Sequence, residues 1–226
     1  MRLTVFSWQD REFVRLFAEG QPGLAVPEAT HEVLGRMAAQ LAAHGLSLDD
    51  TMRTRLFARD RAGRDAGSAA RREVMSNRAR SSSTGVFAPA LFQSDAAVAL
   101  EILAMRPRSP AVGKTLQEYD PPRTPLRYLV QDGIVFTSGE TKAGATLAEQ
   151  ADGVLAVHGE SLRMAGTTWE RTVLVSCFLQ HGQTVEALRA ALAQAAPLAN
   201  VPLECELVEG FAGEGRLVEI EVTALQ

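Results

Sequence analysis

Gly45-Leu46-Ser47-Leu48-Asp49-Asp50-Thr51-Met52 returns in the second half of the chain as Gly166-Thr167-Thr168-Trp169-Glu170-Arg171-Thr172-Val173, and the register holds on to Phe57 over Phe178. Two further blocks match in the same order on either side. Phe17-Ala18-Glu19-Gly20-Gln21 falls on Phe136-Thr137-Ser138-Gly139-Glu140, and Val98-Ala99-Leu100-Glu101-Ile102-Leu103-Ala104 falls on Val218-Glu219-Ile220-Glu221-Val222-Thr223-Ala224. Self-similarity of this kind decides architecture before local propensity does. The 226 residues therefore hold two copies of one fold, each of about 110 residues and long enough to bury its own core. Any site must be read as two copies that were free to diverge.

The same elements recur in each copy. Residues 3–6 and 13–17 are apolar runs around Gln9-Asp10-Arg11-Glu12, which predicts a hairpin. In the second copy Arg127–Val130 and Ile134–Thr137 flank Gln131-Asp132-Gly133, where Asp-Gly is a turn signal. A helix follows. Pro27 sits near its start, and Val33, Leu34, Met37 and Leu41 share a face until Gly45; Leu147, Ala151, Val154, Leu155, His158 and Leu162 do the same until Gly166. Third strands are expected over Thr51–Ala58 and Thr172–Leu179. The second helix is clear around Val185, Leu188 and Leu192, and short and arginine-loaded over Ser68–Ser76. Two closing strands end each unit, Ser82–Phe87 with Ala97–Met105, and Glu204–Val208 with Leu217–Leu225. The order β-β-α-β-α-β-β implies an α+β class, a mixed sheet with two helices on one face. Residues 1–106 and 126–226 form the repeats, and 107–125, carrying Pro107, Pro110, Pro121, Pro122 and Pro125, reads as a stiff exposed linker.

Composition narrows the setting. Cys177 and Cys205 are the only cysteines, and no basic start leads into a signal-length apolar run, so a reducing cytoplasm is expected. No stretch approaches the roughly 20 apolar residues of a membrane span. The net charge is −4, yet residues 51–80 hold nine arginines against Asp60, Asp65 and Glu73. Only Phe57 interleaves them, so stacking on nucleic-acid bases has little support and a solvated face is the plain expectation.

Glu101 lies in an otherwise apolar strand. A carboxylate there costs several kcal/mol unless paired or hydrogen-bonded, and a guanidinium is its best planar partner. Ala79-Arg80-Ser81-Ser82-Ser83 enters the neighbouring closing strand, so Arg80 is expected to meet Glu101, either as a structural pair or as chemistry. His31, His44, His158 and His181 lack metal-ligand spacing. Cys177 reads as inert core, and Cys205 as the better candidate for a cleft thiol.

The Gly-Leu-Ser-Leu-Asp-Asp step into a strand, the Val-Phe-Thr-Ser-Gly-Glu strand end, the Ala-Arg-Ser entry and the closing Val-Glu-Ile-Glu strand resemble the RidA/YjgF reactive-intermediate deaminases, once per half. The resemblance implies a chorismate-mutase-like α+β fold in which single-domain members form trimers with clefts between subunits. It also implies cofactor-free hydrolysis of enamines and imines of small amino acids to a 2-keto acid and ammonia. By position it makes Arg80 the clamp on the substrate carboxylate and Glu101 the residue that places water. Ser82 then meets the substrate nitrogen through its backbone, with Ser138 and Gly139 as the Ser-Gly strand end and Cys205 as a cleft residue of the second copy. A homotrimer, a small carboxylate metabolite as partner, no nucleic acid and no membrane are implied in the same way.

The departures point to complementary halves. The second copy has Leu203 where the clamp arginine is expected, and the first has Glu19-Gly20 in place of Ser-Gly. The shortened second helix of the first copy is expected to open the cleft. A composite cleft, with Arg80 and Glu101 facing Ser138 and Gly139, follows as an expectation. Two other readings stand beside it. The later half also resembles the C-terminal part of chorismatases, which implies a chorismate-like or biosynthetic substrate. The missing arginine suits a non-catalytic metabolite-binding protein.

Overall fold

The computed structural model describes residues 1–109 and 112–226, so Pro110 of the expected linker lies outside the described residues. The first repeat runs β1 (Arg2–Trp8), β2 (Arg11–Glu19), α1 (Val26–Ala43), β3 (Thr51–Ala58), α2 (Arg61–Val74), β4 (Ser82–Phe87) and β5 (Val98–Met105). After β6 (Thr115–Gln117), the second runs β7 (Tyr128–Gln131), β8 (Ile134–Thr137), α3 (Leu147–Met164), β9 (Thr172–Gln180), α4 (Val185–Ala195), β10 (Leu203–Val208) and β11 (Val218–Leu225). One sheet is ordered β1-β2-β5-β3-β4 and the other β10-β9-β11-β8-β7-β6, the same arrangement with β6 added at one edge. β3 with β4 and β9 with β10 are parallel because a helix carries the chain back between them; the remaining pairs are antiparallel.

Local chemistry accounts for the element ends. Asp132 and Gly133 take φ of 51° and 78°, the left-handed pair that a two-residue hairpin turn needs. Asp60 caps α2 by accepting from the Gly63 amide, and Thr146 and Thr184 cap α3 and α4 in the same manner. The Asp60 cap starts α2 at Arg61, well before Ser68. At 14 residues it is longer than the 11 of α4, so the expected gap in the cleft wall is absent. The linker also departs from expectation. β6 pairs with β7, Lys114 Nζ donates to the Thr51 carbonyl at 2.7 Å, and Tyr119 is buried. Apolar Leu116 and Tyr119 give the segment a reason to fold back on the protein instead of standing in water.

The two helices of each repeat cover one face of its sheet. Val14, Leu16, Leu56, Leu100 and Ile102 pack beneath Val33, Leu34, Met37 and Leu41, as Val175, Cys177, Ile220 and Val222 do beneath Val154, Leu155 and Leu188. Strand residues of opposite parity point away from the helices and meet those of the other half. Phe13, Leu103 and Met105 join Leu129, Ile134 and Phe136, while Phe57 and Ala99 join Phe178, Val208 and Phe211. The Phe13–Phe136 and Phe57–Phe178 ring centroids lie 6.5 and 6.2 Å apart. Helix, sheet, sheet and helix thus stack in four layers. Among the described residues no helix is long and apolar enough to cross a membrane.

Between these two apolar patches lies a buried ion cluster. Arg55 of β3 reaches Glu221 of β11 through Nη2 at 2.7 Å and Nε at 3.1 Å, and Glu101 of β5 through Nη1 at 3.1 Å. Arg15 holds the other side of Glu101 at 2.6 Å, and Arg53 stands 3.4 Å from Glu221. Burial alone would raise the Glu221 carboxyl, but Arg55 and Arg53 hold it below its ordinary range. Arg55→Met removes the cation that two buried carboxylates share, leaving Glu101 to Arg15 and Glu221 to Arg53, and is expected to destabilise the protein by about 3–5 kcal/mol. The measurement is the shift in the urea unfolding midpoint, and a loss under about 1 kcal/mol contradicts this account.

Candidate functional site

Where β4 runs past the end of β8, the halves are joined by hydrogen bonds to the Ser83 backbone. The Gly139 amide donates to the Ser83 carbonyl at 3.2 Å, and the Ser83 amide donates to Ser138 Oγ at 3.1 Å. Beside this joint opens a cavity of about 700 Å³. α2 supplies Arg64, Ser68 and Arg71, and the entry to β4 supplies Arg80, Ser81, Ser83 and Thr84. The second half closes it with Gly139, Glu140 and Glu219, under a roof of Arg123–Leu126 from the folded-back linker. Both repeats and the segment between them build one site.

Alternation along β11 turns Glu219 and Glu221 to the same face, away from α3 and α4. Glu221 goes to the arginine cluster, and Glu219 reaches the cavity floor, only 6% exposed. Burial pushes its carboxyl up to about 8; Arg64 opposes the shift and Glu221 adds to it. At neutral pH Glu219 therefore carries a proton. Gly139 is a glycine for reasons of space: a Cβ there would strike the Thr84 hydroxyl and the Glu219 carboxyl, coming within 2.9 Å of the carboxyl carbon. Glu140, beside it, is buried and accepts from the Tyr119 hydroxyl and from Arg123 at 2.8 Å. Arg80 is partly exposed and paired with Glu118 of the linker.

The expected site residues divide. Arg80 and Gly139 line this cavity, and Ser138 supports it from behind through Ser83. Glu101 does not join them. It is held by Arg15 and Arg55 and faces a separate hollow of about 230 Å³ with Phe6, Arg53 and Glu204. The expected convergence of Arg80 with Glu101 is corrected: β5 places Glu101 opposite Arg55 in the ladder, next to the strongest available partner. Ser82 is fully buried and donates to the Met52 carbonyl at 2.9 Å, leaving Ser81 and Ser83 on the cavity side. Cys205 packs toward the α3/α4 core, beside Cys177 in the ladder, and burial raises its thiol.

The ladders also correct one equivalence. Ser83 pairs with Thr54, and Leu203 with Val175, the residue matched to Thr54. Leu203 thus corresponds to Ser83, Cys205 to Gly85, and Asn200 takes the place of Arg80. The second half still lacks the arginine. Glu219, Arg64 and Arg71 were not singled out in the sequence. A signal was present for Glu219, which falls on Ala99: the first half lacks this carboxyl as the second lacks the arginine. Among the described residues, no group of three or more His, Cys, Asp and Glu side chains is placed to hold a metal ion.

No protein-family model matches this sequence, and no curated protein matches it. Solved structures do. A chorismatase aligns with 97% of this chain and 78% of its own at 16% identity, with a TM-score of 0.63. A YjgF-family member from Mycobacterium tuberculosis aligns with 50% of this chain and 100% of its own at 21% identity and a TM-score of 0.46. A protein of the Rid family from Yersinia pestis covers the same shares at 22% identity, with a TM-score of 0.45. The chain carries an α+β fold of two repeated units in tandem, similar along nearly its whole length to that of the chorismatase structure.

Two outcomes test the floor of the cavity. Because Glu219 keeps its proton up to about pH 8 when folded and loses it near pH 4.3 when unfolded, its protonation favours the fold below that window, and this contribution falls away as pH rises through it. Thermal scans from pH 5 to 8.5 should therefore show a smaller decline for Glu219→Gln than for the wild type; parallel curves would contradict the protonated state. Gly139→Ala should lower the melting temperature, since its methyl has no room against the buried Thr84 hydroxyl and Glu219 carboxyl; an unchanged melting temperature would contradict this packing.

Proposed function

We propose that this protein hydrolyses an imine or enamine of a small carboxylate-bearing metabolite, releasing a 2-keto acid and ammonia. The observation that carries the reading is one cavity, lined by both halves, that holds the Arg80 guanidinium and a Glu219 carboxyl poised near 8. Arg80 offers a planar fork to the substrate carboxylate. Its pair with Glu118 is more than one-third exposed on both sides, and such pairs are worth at most about 1 kcal/mol, so a ligand can displace it.

With the carboxylate held, the C=N bond lies toward the floor. Protonated Glu219 donates to the imine nitrogen as water adds to the carbon, and the glutamate so formed takes a proton from that water. A further proton passes from the carbinolamine hydroxyl to nitrogen, the C–N bond breaks, and the water oxygen remains as the keto oxygen. A carboxyl with a pKa near the working pH serves both directions of transfer. The chemistry draws on water and side chains alone. Both walls come from one chain, so the implied homotrimer is not a requirement of this reading.

A cavity of this volume also admits a carboxylate larger than three carbons, which favours the chorismatase-like alternative as a second reading. Incubation with chorismate and product analysis separates the two.

The direct test generates 2-aminoacrylate in the presence of the protein and follows keto acid and ammonia. Arg80→Ala and Glu219→Gln should each reduce the acceleration by roughly 10²-fold or more, whereas Glu101→Gln should lower stability and leave the folded protein active. Wild-type protein that adds nothing to spontaneous hydrolysis of 2-aminoacrylate and related imines removes the proposal.

A further inference from the structure

The cavity holds a second cation that the mechanism does not use. Arg71 projects from α2 and is 7% exposed, and its Nη1 donates to the Thr84 carbonyl at 2.7 Å. Among the described residues, no carboxylate lies within ion-pairing distance of it, and the remaining N–H groups of its fork find no protein acceptor. Those atoms are not sealed off either, since Arg71 lines the cavity and is absent from the buried groups that lack a partner. The other buried arginines, Arg11, Arg53, Arg55 and Arg127, face carboxylates. A guanidinium nearly stripped of water with no anion beside it is costly, and burial with Arg64 nearby lowers its pKa to about 10.

Its neighbours have the same character. Arg64 donates through Nε to the Gly85 carbonyl at 2.9 Å and through Nη1 to Asp65 at 2.8 Å. Ser68 Oγ is buried in the wall without a hydrogen-bond partner. Exposed Arg72 adds positive charge at the rim, and Glu219 is uncharged at neutral pH. Asp65, Glu118 and Glu140 are each already engaged by Arg64, Arg80 and Arg123.

We propose that Arg71, with Ser68 and Arg64, forms a second oxyanion subsite, and that the substrate is a dicarboxylate: one carboxylate on Arg80, the other on Arg71, and the reacting carbon between them beside Glu219. This rests on the reading of the cavity as a carboxylate-binding hydrolase site and narrows it from small monocarboxylates to acids with a second anionic end. The arginine-loaded α2 is then the wall that selects the substrate, not a solvated face.

The test compares two five-carbon 2-keto acids by isothermal titration at pH 7, 2-oxoglutarate with two carboxylates and 2-oxovalerate with one, and uses inorganic phosphate as a third probe. 2-Oxoglutarate is expected to bind the wild type at least tenfold more tightly than 2-oxovalerate. Arg71→Met should bring the two acids within about twofold, Arg71→Lys, which keeps the charge and loses the planar fork, should retain part of the preference, and Arg80→Ala should weaken both. The wild-type ratio decides the matter even where a variant folds poorly. Equal affinity for the two acids, or phosphate binding as tightly as 2-oxoglutarate in an Arg71-dependent way, overturns the dicarboxylate assignment and leaves the hydrolase reading standing. Failure of both keto acids to bind removes that reading and this one with it.

Discussion

The contact on which the rest of this structure depends is the two-point hydrogen bond from Arg55 to Glu221 across the stacked sheets. Apolar faces alone would let two sheets slide, because the hydrophobic effect is non-directional. A guanidinium that must satisfy Glu221 in one half and Glu101 in the other admits one register. Phe57 against Phe178 and Phe13 against Phe136 then close on either side of it. With the sheets so placed, β4 arrives beside the end of β8, Ser83 exchanges hydrogen bonds with Ser138 and Gly139, and the cavity follows. The ion cluster is structural, yet it positions every wall of the site.

Duplication explains why a single cavity needs both halves. Arg80 belongs to the first copy and has Asn200 as its counterpart; Glu219 belongs to the second and has Ala99. Gly139 follows Ser138 in the second, whereas Glu19 occupies that serine's place in the first and there accepts from the Gln93 and Ser94 amides. The cavity thus draws Arg80 from one copy and Gly139 and Glu219 from the other. A symmetric counterpart built from Asn200 and Ala99 would have neither the cation nor the acid.

Charge within the cavity follows from burial more than from proximity. Glu219 stays protonated near neutral pH although Arg64 is close, since loss of water outweighs that attraction. Glu221, two residues on and equally buried, is ionised because Arg55 and Arg53 contact it directly. Two carboxyl groups of one strand face are thus set apart by a few ångströms of arginine placement, and only the protonated one reaches the cavity.

The sequence by itself determined the duplicated architecture, the order of elements and the α+β class, because apolar periodicity, turn residues and repeat register are local properties that survive without coordinates. It also showed that Glu101 needs a cation. Only the tertiary structure decided which ones, since Arg15, Arg53, Arg55 and Arg80 are equally basic on paper and the fold brings Arg55 and Arg15 to Glu101. The extent of α2 was misread because its helix-forming arginines carry little apolar periodicity, and the linker because its prolines conceal two side chains that gain by burial. That Glu219 is the acid of the cavity, and Arg71 its unpaired cation, depends on how the two sheets stack; pairing across such distances in the chain is decided by packing, which no local pattern encodes.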